Sequence, residues 1–458
     1  MLYELLKLIV RLALRVFYKS FKVHNRHLIP AKGPLIIVAN HPNTFMDPLI
    51  VASVVRPQVY FMAMGSLFTT PFLRWFFRQL HMLPIQRKHD TNKQKFDNKE
   101  IFQKCYDHLG KGGSLVIFPE GTSIRARRLQ EVKTGTARIA LGAEAGTEFK
   151  AGVRIVTLGI NYSKHESFHS EVFIRVDEPI EVKEYADQYQ TNPEEAVRAL
   201  TERIRQQLEE HLIITDNDEQ DAFAKQIETI YKRQLSAQIQ LSDNAKEQDY
   251  FITKGIVDAI QHFEETDPAR VQDFKPKITA YLRNLNRLDL GDEVFSKDKR
   301  DKHIFWDSFS TALYFIAGFP VFLYGVINNH IPYIIPSKVA AQIVKFTKAD
   351  EYTAPVMMIT GIFSFGVCYS LQLWVFQWYF GNAWLTLAYF ISLPITGFFA
   401  LFYAYRRDHV IDRWQLFTLF YKRAPLIGYL VQQRTEIIEA LEQAKKDYLA
   451  HYEGNQAV

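Results

Sequence analysis

Three stretches without a single Asp, Glu, Lys or Arg, at 308–336, 354–380 and 384–405, constrain this 458-residue chain more than any other feature. Each is long enough to cross or enter a bilayer, which takes about 20 apolar residues for a full span. The neighbouring stretch 180–303 is dense in charge, so the average hydropathy conceals a segregated chain. An integral membrane protein follows. Cations flank the apolar runs at 297–302, at Lys338, Lys345 and Lys348, and at Arg406 and Arg407, whereas the connection 378–384 has none. Cationic flanks favour the cytoplasmic side. On that rule 354–380 and 384–405 form a hairpin whose ends both face the cytoplasm. The run 306–336 is then expected to be re-entrant, broken at Gly318 and Pro320.

The first residues form a second membrane signal. Lys7, Arg11, Arg15 and Lys19 recur at four-residue steps among Leu, Ile, Val and Phe. That spacing gathers the cations on one side of a helix, opposite an apolar face, and suits a helix lying in the headgroup layer. A core helix with a charged solvent face is the plainer alternative. Basic residues interrupt the apolar run, so it is a poor signal peptide.

From about residue 34 to 180 the pattern changes to short β-branched runs, "PLIIVA", "QVYFMA", "SLVIF", "RIVTLGINY" and "VFIRV", with helix-period segments between them. The fold class expected is an α/β domain, a mixed or mostly parallel sheet with flanking helices, followed by a helical insertion and C-terminal transmembrane helices. The boundaries drawn are an interfacial helix at 1–30, the α/β domain at 31–190 and a helical connector or lid at 191–303. Membrane segments follow at 304–405, then a cytoplasmic helical tail at 406–458. Two cysteines, Cys105 and Cys368, exclude a disulfide framework and a Cys-rich zinc site. His24, His27, His81 and His89 lack metal-ligand spacing, so no metal is expected. The net charge of +5 suits an anionic membrane surface or phosphate-bearing substrates; no nucleic-acid partner is expected. "LGKGGS" lacks the spacing of a phosphate-cradling loop. The aromatics around Arg74 and Arg78 suit either a surface taking an acyl chain or core packing.

Chemistry concentrates at two strand ends. "PLIIV" runs into "ANHPNTFMDP", with His41 and Asp47. A turn built from Pro and Asn is the bland reading. A His–Asp pair at the carboxyl end of a strand, where open α/β sheets carry their sites, is the functional one. The strand "SLVIF" likewise runs into "IFPEGTS", and a helix-period run begins after Val132-Lys133-Thr134-Gly135.

Together these blocks resemble the phospholipid/glycerol acyltransferase family, in which a His-x4-Asp motif and a Phe-Pro-Glu-Gly motif follow two strands of an α/β domain. "LHMLPIQR" ends in Arg87, where the family carries a phosphate-holding arginine, and "RIVTLGIN" occupies the place of its fourth, apolar block. The stretch from Glu120 to Gly135 lies without gaps on the family's third pattern, matching Arg125 and Lys133. Two departures stand out. His41 and Asp47 are separated by five residues rather than four, and Ser123 stands where many members have arginine. The longer spacing resembles the long glycerol-3-phosphate and dihydroxyacetone-phosphate acyltransferases with C-terminal membrane segments.

The resemblance implies an O-acyltransferase that moves a fatty acyl group from acyl-CoA or acyl-carrier protein to glycerol 3-phosphate or dihydroxyacetone phosphate, in phospholipid synthesis. Its catalytic domain would face the cytoplasm. His41 would be the general base and Asp47 the carboxylate that fixes its tautomer. Without a serine or cysteine in a nucleophile setting, direct transfer is favoured over an acyl-enzyme. Arg87, Arg125 and Lys133 would hold the acceptor phosphate, Glu120 would seat the acceptor and Gly121 would let backbone approach. No cofactor is required beyond the acyl donor as cosubstrate. Taken singly, Arg87 reads as part of a charged turn and Lys133 as a surface residue; Arg127 and Arg128 read as solvated or lipid-facing charges. The rivals are acylation of lysophosphatidate or another lysolipid and, in a different class, an inactive membrane scaffold. Acceptor, chain length, donor and oligomeric state are not fixed by the sequence.

Overall fold

The computed structural model describes residues 2–85, 98–165, 167–238, 245–295, 304–348, 350–422 and 424–456. The chain opens with α1 (Leu2–Phe17), β1 (Ser20–His24), β2 (Leu35–Ala39) and α2 (Met46–Val54). It continues through β3 (Val59–Met64), α3 (Pro71–Gln79), β4 (Met82–Ile85), α4 (Asn98–Gly110) and β5 (Ser114–Ile117). Then follow α5 (Gly135–Ala145), β6 (Arg154–Tyr162), β7 (Glu171–Val176), the short β8 (Ile180–Glu181), α6 (Ala186–Thr191) and α7 (Pro193–His211).

The strands form one sheet in the order β1-β7-β6-β2-β5-β3-β4, with β8 on β6. Pairing is parallel except where β6 meets β7 and β8. This is the mixed, mostly parallel sheet expected. β2 lies at its centre with both faces covered, which explains its unbroken apolar run. Leu35, Ile37 and Ala39 pack with Leu14, Phe17, Met46 and Ile50; Ile36 and Val38 pack on the other face with Leu109, Ile139, Leu141 and Ile204. One compact unit comprises 1–216 together with 343–358, so β1 and α1 belong with the sheet.

The cations of α1 do not all lie on the face expected. Lys7 is buried; its Nζ donates to the carbonyls of Arg56 and Pro57 at 3.2 and 3.4 Å. Arg11 donates to the Ser53 carbonyl at 3.0 Å, and Arg26 to that of Val54 at 3.0 Å. The Ser53 and Val54 carbonyls end α2 without helical partners, those of Arg56 and Pro57 follow just after it, and positive charge also suits the helix's negative pole. Leu5, Leu8, Leu12 and Val16 form the exposed face instead, beside exposed Arg15 and Lys19.

The second compact unit comprises 217–342 and 359–458. It holds α8 (Asp218–Gln238), α9 (Ala245–Thr266), α10 (Pro268–Arg287), most of α11 (Ile304–Thr347) and α12 (Thr353–Phe380), α13 (Ala383–Lys422) and α14 (Ala424–Gln456). α14 packs on α8, α9 and α10. A buried carboxylate ties this bundle: Asp292 accepts from Arg434 Nε at 2.9 Å and from the Tyr281 hydroxyl at 2.7 Å.

The expected re-entrant pair across 306–336 does not form. α11 runs unbroken for 44 residues through Gly318 and Pro320, with further prolines at 332 and 336. The reason lies in the neighbouring helices. A proline removes the donor for the carbonyl four residues earlier. Pro332 thereby orphans the Asn328 carbonyl, which accepts from Gln372 Nε2 at 2.9 Å; Pro336 orphans the Pro332 carbonyl, which accepts from Ser364 Oγ at 2.9 Å. Near Pro320, the Tyr403 hydroxyl donates to the Phe315 carbonyl at 2.8 Å. Gly325 allows the approach of α13, since a Cβ there would overlap the Thr396 carbonyl. Among the described residues three helices are long and apolar enough to cross a membrane, Thr311–Thr347, Thr353–Phe380 and Ala383–Arg407. Trp378 and Trp384 stand exposed on either side of the turn at Gly381, as aromatic residues do at a membrane–water boundary.

The buried Cys105 gives a direct readout of the sheet unit. Burial pushes its thiol up to about 12, so at pH 8 only about one molecule in ten thousand carries the reactive thiolate. In a Cys368→Ser variant, maleimide is expected to leave Cys105 unlabelled at pH 8 until denaturant is added. Labelling of the folded protein within minutes would contradict this packing.

Candidate functional site

The carboxyl ends of β2 and β5 bring the two motifs together. Asn40 leaves β2 and clamps the third strand of the site, β6. Its Nδ2 donates to the Ile160 carbonyl at 3.0 Å and its Oδ1 accepts the Ile160 N–H at 2.7 Å. His41 follows, stacked on Phe118 beyond β5 with ring centroids 4.2 Å apart. Its Nδ1–H donates to Asp47 Oδ2 at 2.9 Å. Among the described residues no hydrogen bond engages Nε2, leaving it free to accept a proton.

Asp47 sits in the first turn of α2 with no solvent access. Oδ2 also accepts the Asn43 N–H at 2.7 Å, and Oδ1 accepts the Tyr162 hydroxyl at 2.5 Å. These donors and the positive pole of α2 compensate the buried charge. Within the five-residue stretch between His41 and Asp47, Thr44 has a φ of 25°. The Thr44 N–H is accepted by Ser123 Oγ at 2.9 Å. Ser123 thus satisfies a backbone donor of the loop between His41 and Asp47.

Glu120 is buried, and both of its oxygens hold backbone. Oε1 accepts the His41 N–H at 2.6 Å and Oε2 the Gln130 N–H at 2.9 Å. Burial raises its carboxyl above the usual range, and the two N–H groups partly offset this. These two hydrogen bonds clamp the His41 backbone to the loop 120–130. Gly121 has φ 68°, and a Cβ there would lie 2.9 Å from Lys133 Nζ, so only glycine lets this lysine fold over the loop. Lys133 is exposed, and Arg125 is half-buried in the same loop. Arg87 lies outside the described residues.

Arg127 and Arg128 keep only part of their surface in solvent. Both are partly buried and line a cavity of about 20 Å³ with Asn40, Pro42, Tyr162 and His165. The Arg127 carbonyl accepts the Thr215 N–H at 2.7 Å, fixing the loop to the end of the sheet unit. Asn40, Phe118 and Tyr162 were not singled out by sequence. Among the described residues, no group of three His, Cys, Asp or Glu could hold a metal ion.

Comparison with known proteins bears on this geometry. Residues 20–161 match the family model described as Acyltransferase. Glycerol-3-phosphate O-acyltransferase 2 of Saccharomyces cerevisiae is 37% identical over 116 residues, 25% of this chain and 16% of that protein. Glycerol-3-phosphate O-acyltransferase 1 of the same yeast is 28% identical over 209 residues, 45% of this chain and 26% of that protein. The matched stretches thus span about a quarter or less of the yeast proteins' length. The 1-acyl-sn-glycerol-3-phosphate acyltransferase of Escherichia coli K12 is 26% identical over 191 residues, covering 41% of this chain and 70% of that protein. The crystal structure of the 1-acyl-sn-glycerophosphate acyltransferase PlsC from Thermotoga maritima aligns with TM-score 0.33 and 23% identity, over 45% of this chain and 79% of that one.

Removing Glu120 tests its clamping role. Glu120→Ala leaves two buried N–H groups without acceptors and is expected to lower stability by about 2–6 kcal/mol. Thermal unfolding in detergent, followed through Cys105 labelling, reads this. An unchanged transition would show that Glu120 does not hold the loop.

Proposed function

We propose, from the premise that residues 20–161 form a domain of the Acyltransferase family, that this protein transfers a fatty acyl group from a thioester donor to glycerol 3-phosphate at the membrane. The observation that carries this reading is the His41–Asp47 pair, held at 2.9 Å at the carboxyl end of the central strand with Nε2 unengaged among the described residues.

The chemistry follows from that geometry. Asp47 keeps the proton on Nδ1, so Nε2 is the basic nitrogen. It takes the hydroxyl proton of the acceptor as the oxygen attacks the thioester carbonyl. The C–O bond forms, the C–S bond breaks, and the thiolate of coenzyme A or carrier protein leaves without needing an acid. It recovers its proton from the imidazolium, which the Asp47 carboxylate has stabilised meanwhile. Water and side-chain nucleophiles have no part, so transfer is direct. Lys133, folded over Gly121, and Arg125 in the same loop are the cations offered to the acceptor phosphate, with Arg87 added from its place in the sequence. The apolar helices support attachment to the bilayer that receives the product. A soluble thioester donor argues for a cytoplasmic catalytic domain.

Glycerol 3-phosphate is favoured by the two yeast relatives, and lysophosphatidate by the E. coli one. The assay is direct: purified full chain, labelled palmitoyl-CoA, and the two acceptors side by side. Lysophosphatidate formed from glycerol 3-phosphate, and absent with His41→Ala, is the expected result. Product from added lysophosphatidate alone would move the enzyme to the next acylation. No transfer to either acceptor, with palmitoyl-carrier protein tried as well, would overturn the enzymatic reading in favour of a scaffold.

A further inference from the structure

Asp47 is supplied with donors unevenly. Oδ2 receives two, His41 Nδ1–H and the Asn43 N–H, both from its own loop. Oδ1 receives the Tyr162 hydroxyl at 2.5 Å, from a strand 115 residues away in the chain. We infer that Tyr162 is a positioning residue for the acyl transfer, acting on His41 through Asp47; this rests on the catalytic reading of that pair.

Tyr162 is well placed for the task. It is the last residue of β6, is buried, and pairs across the sheet with Val172. Two residues earlier, on the same side of the strand, Ile160 is gripped through both its N–H and its C=O by Asn40. The loop from Asn40 to Asp47 is therefore tied to β6 at both ends. His165 supports the arrangement: its ring lies 5.1 Å from that of Tyr162, and its carbonyl accepts the Asn43 side-chain amide at 2.6 Å. Burial and the neighbouring Asp47 charge push the Tyr162 phenol well above its ordinary range, which keeps its proton available for the bond to Asp47.

Two consequences follow. The bond fixes the rotation of the carboxylate, so that Oδ2 meets Nδ1. It also withdraws charge from Oδ2 and so limits how strongly Asp47 favours the imidazolium. Loss of the hydroxyl leaves a less restrained and barer carboxylate, which misorients the base and holds it protonated to higher pH. Among the described residues the other ionisable groups facing the pair are Glu120 beyond β5, Tyr18 after α1 and His165 after β6. All three are retained in every variant below, so a change between variants reports Tyr162.

The experiment compares full-chain wild type, Tyr162→Phe and His41→Ala over pH 5.5–9.5. For Tyr162→Phe, kcat is expected to fall on the order of ten- to hundredfold, as for loss of a hydrogen bond to a charged group. KM for donor and acceptor should change little, and the acid limb of kcat/KM should move to higher pH. Wild-type kcat with an unmoved limb overturns the inference. So does a kcat loss that only tracks the fraction of unfolded protein, with the limb unmoved, because that is a structural role. If Tyr162→Phe fails to fold, trifluorotyrosine at 162 keeps the bond and makes it a stronger donor; the limb should then move to lower pH, and no movement again overturns the inference. An active His41→Ala would remove the catalytic reading and this inference with it. An inactive His41→Ala beside a wild-type-like Tyr162→Phe would remove this inference alone.

Discussion

The candidate site is organised around an expensive group, the fully buried carboxylate of Asp47. A charge without solvent is tolerated only where donors and dipoles replace the water it has lost. Here the donors come from three sources: the His41 ring, the Asn43 backbone and the Tyr162 hydroxyl. The dipole comes from α2, whose first turn carries Asp47 and whose final carbonyls are met by Arg11 and Arg26, with Lys7 on the carbonyls just beyond its end. The helix is thus electrostatically satisfied at both poles. What looks like a membrane stripe in the N-terminal residues is in part the counterweight to the site at the far end of α2.

The parts of the fold visible in the sequence were those with a short period. β2 is covered on both faces, so it reads as an unbroken β-branched run, and the motif that follows β5 marks a strand end in the same way. Helical spacing showed that Lys7 and Arg11 share a face but could not show which face turns inward. Asn40 and Tyr162 were invisible for a different reason. Their bonds join residues 120 and 115 apart, and no local pattern distinguishes a tyrosine that meets a carboxylate from one that fills a core. Ser123 and the extra loop residue were seen as two separate departures from the family pattern. The hydrogen bond from the Thr44 N–H joins Ser123 to the loop that carries the extra residue.

The apolar region illustrates the same limit. Gly318 and Pro320 suggest a break when α11 is read alone, because an orphaned carbonyl in lipid is costly. Gln372, Ser364 and Tyr403 lie on other helices and supply the missing donors at or beside the proline sites. These polar contacts also fix the register of the three helices, a task for which apolar packing is poorly specific within a bilayer.

The central claim is that Asp47 acts as an anion that fixes the tautomer of His41. Asp47→Asn tests it most directly, because the amide keeps the volume and much of the hydrogen bonding while removing the charge. The account predicts a folded protein with kcat reduced by about three to four orders of magnitude, as expected when the wrong tautomer is held and the imidazolium loses its counter-charge. A variant within tenfold of wild-type kcat would contradict it, and the base would have to be sought elsewhere.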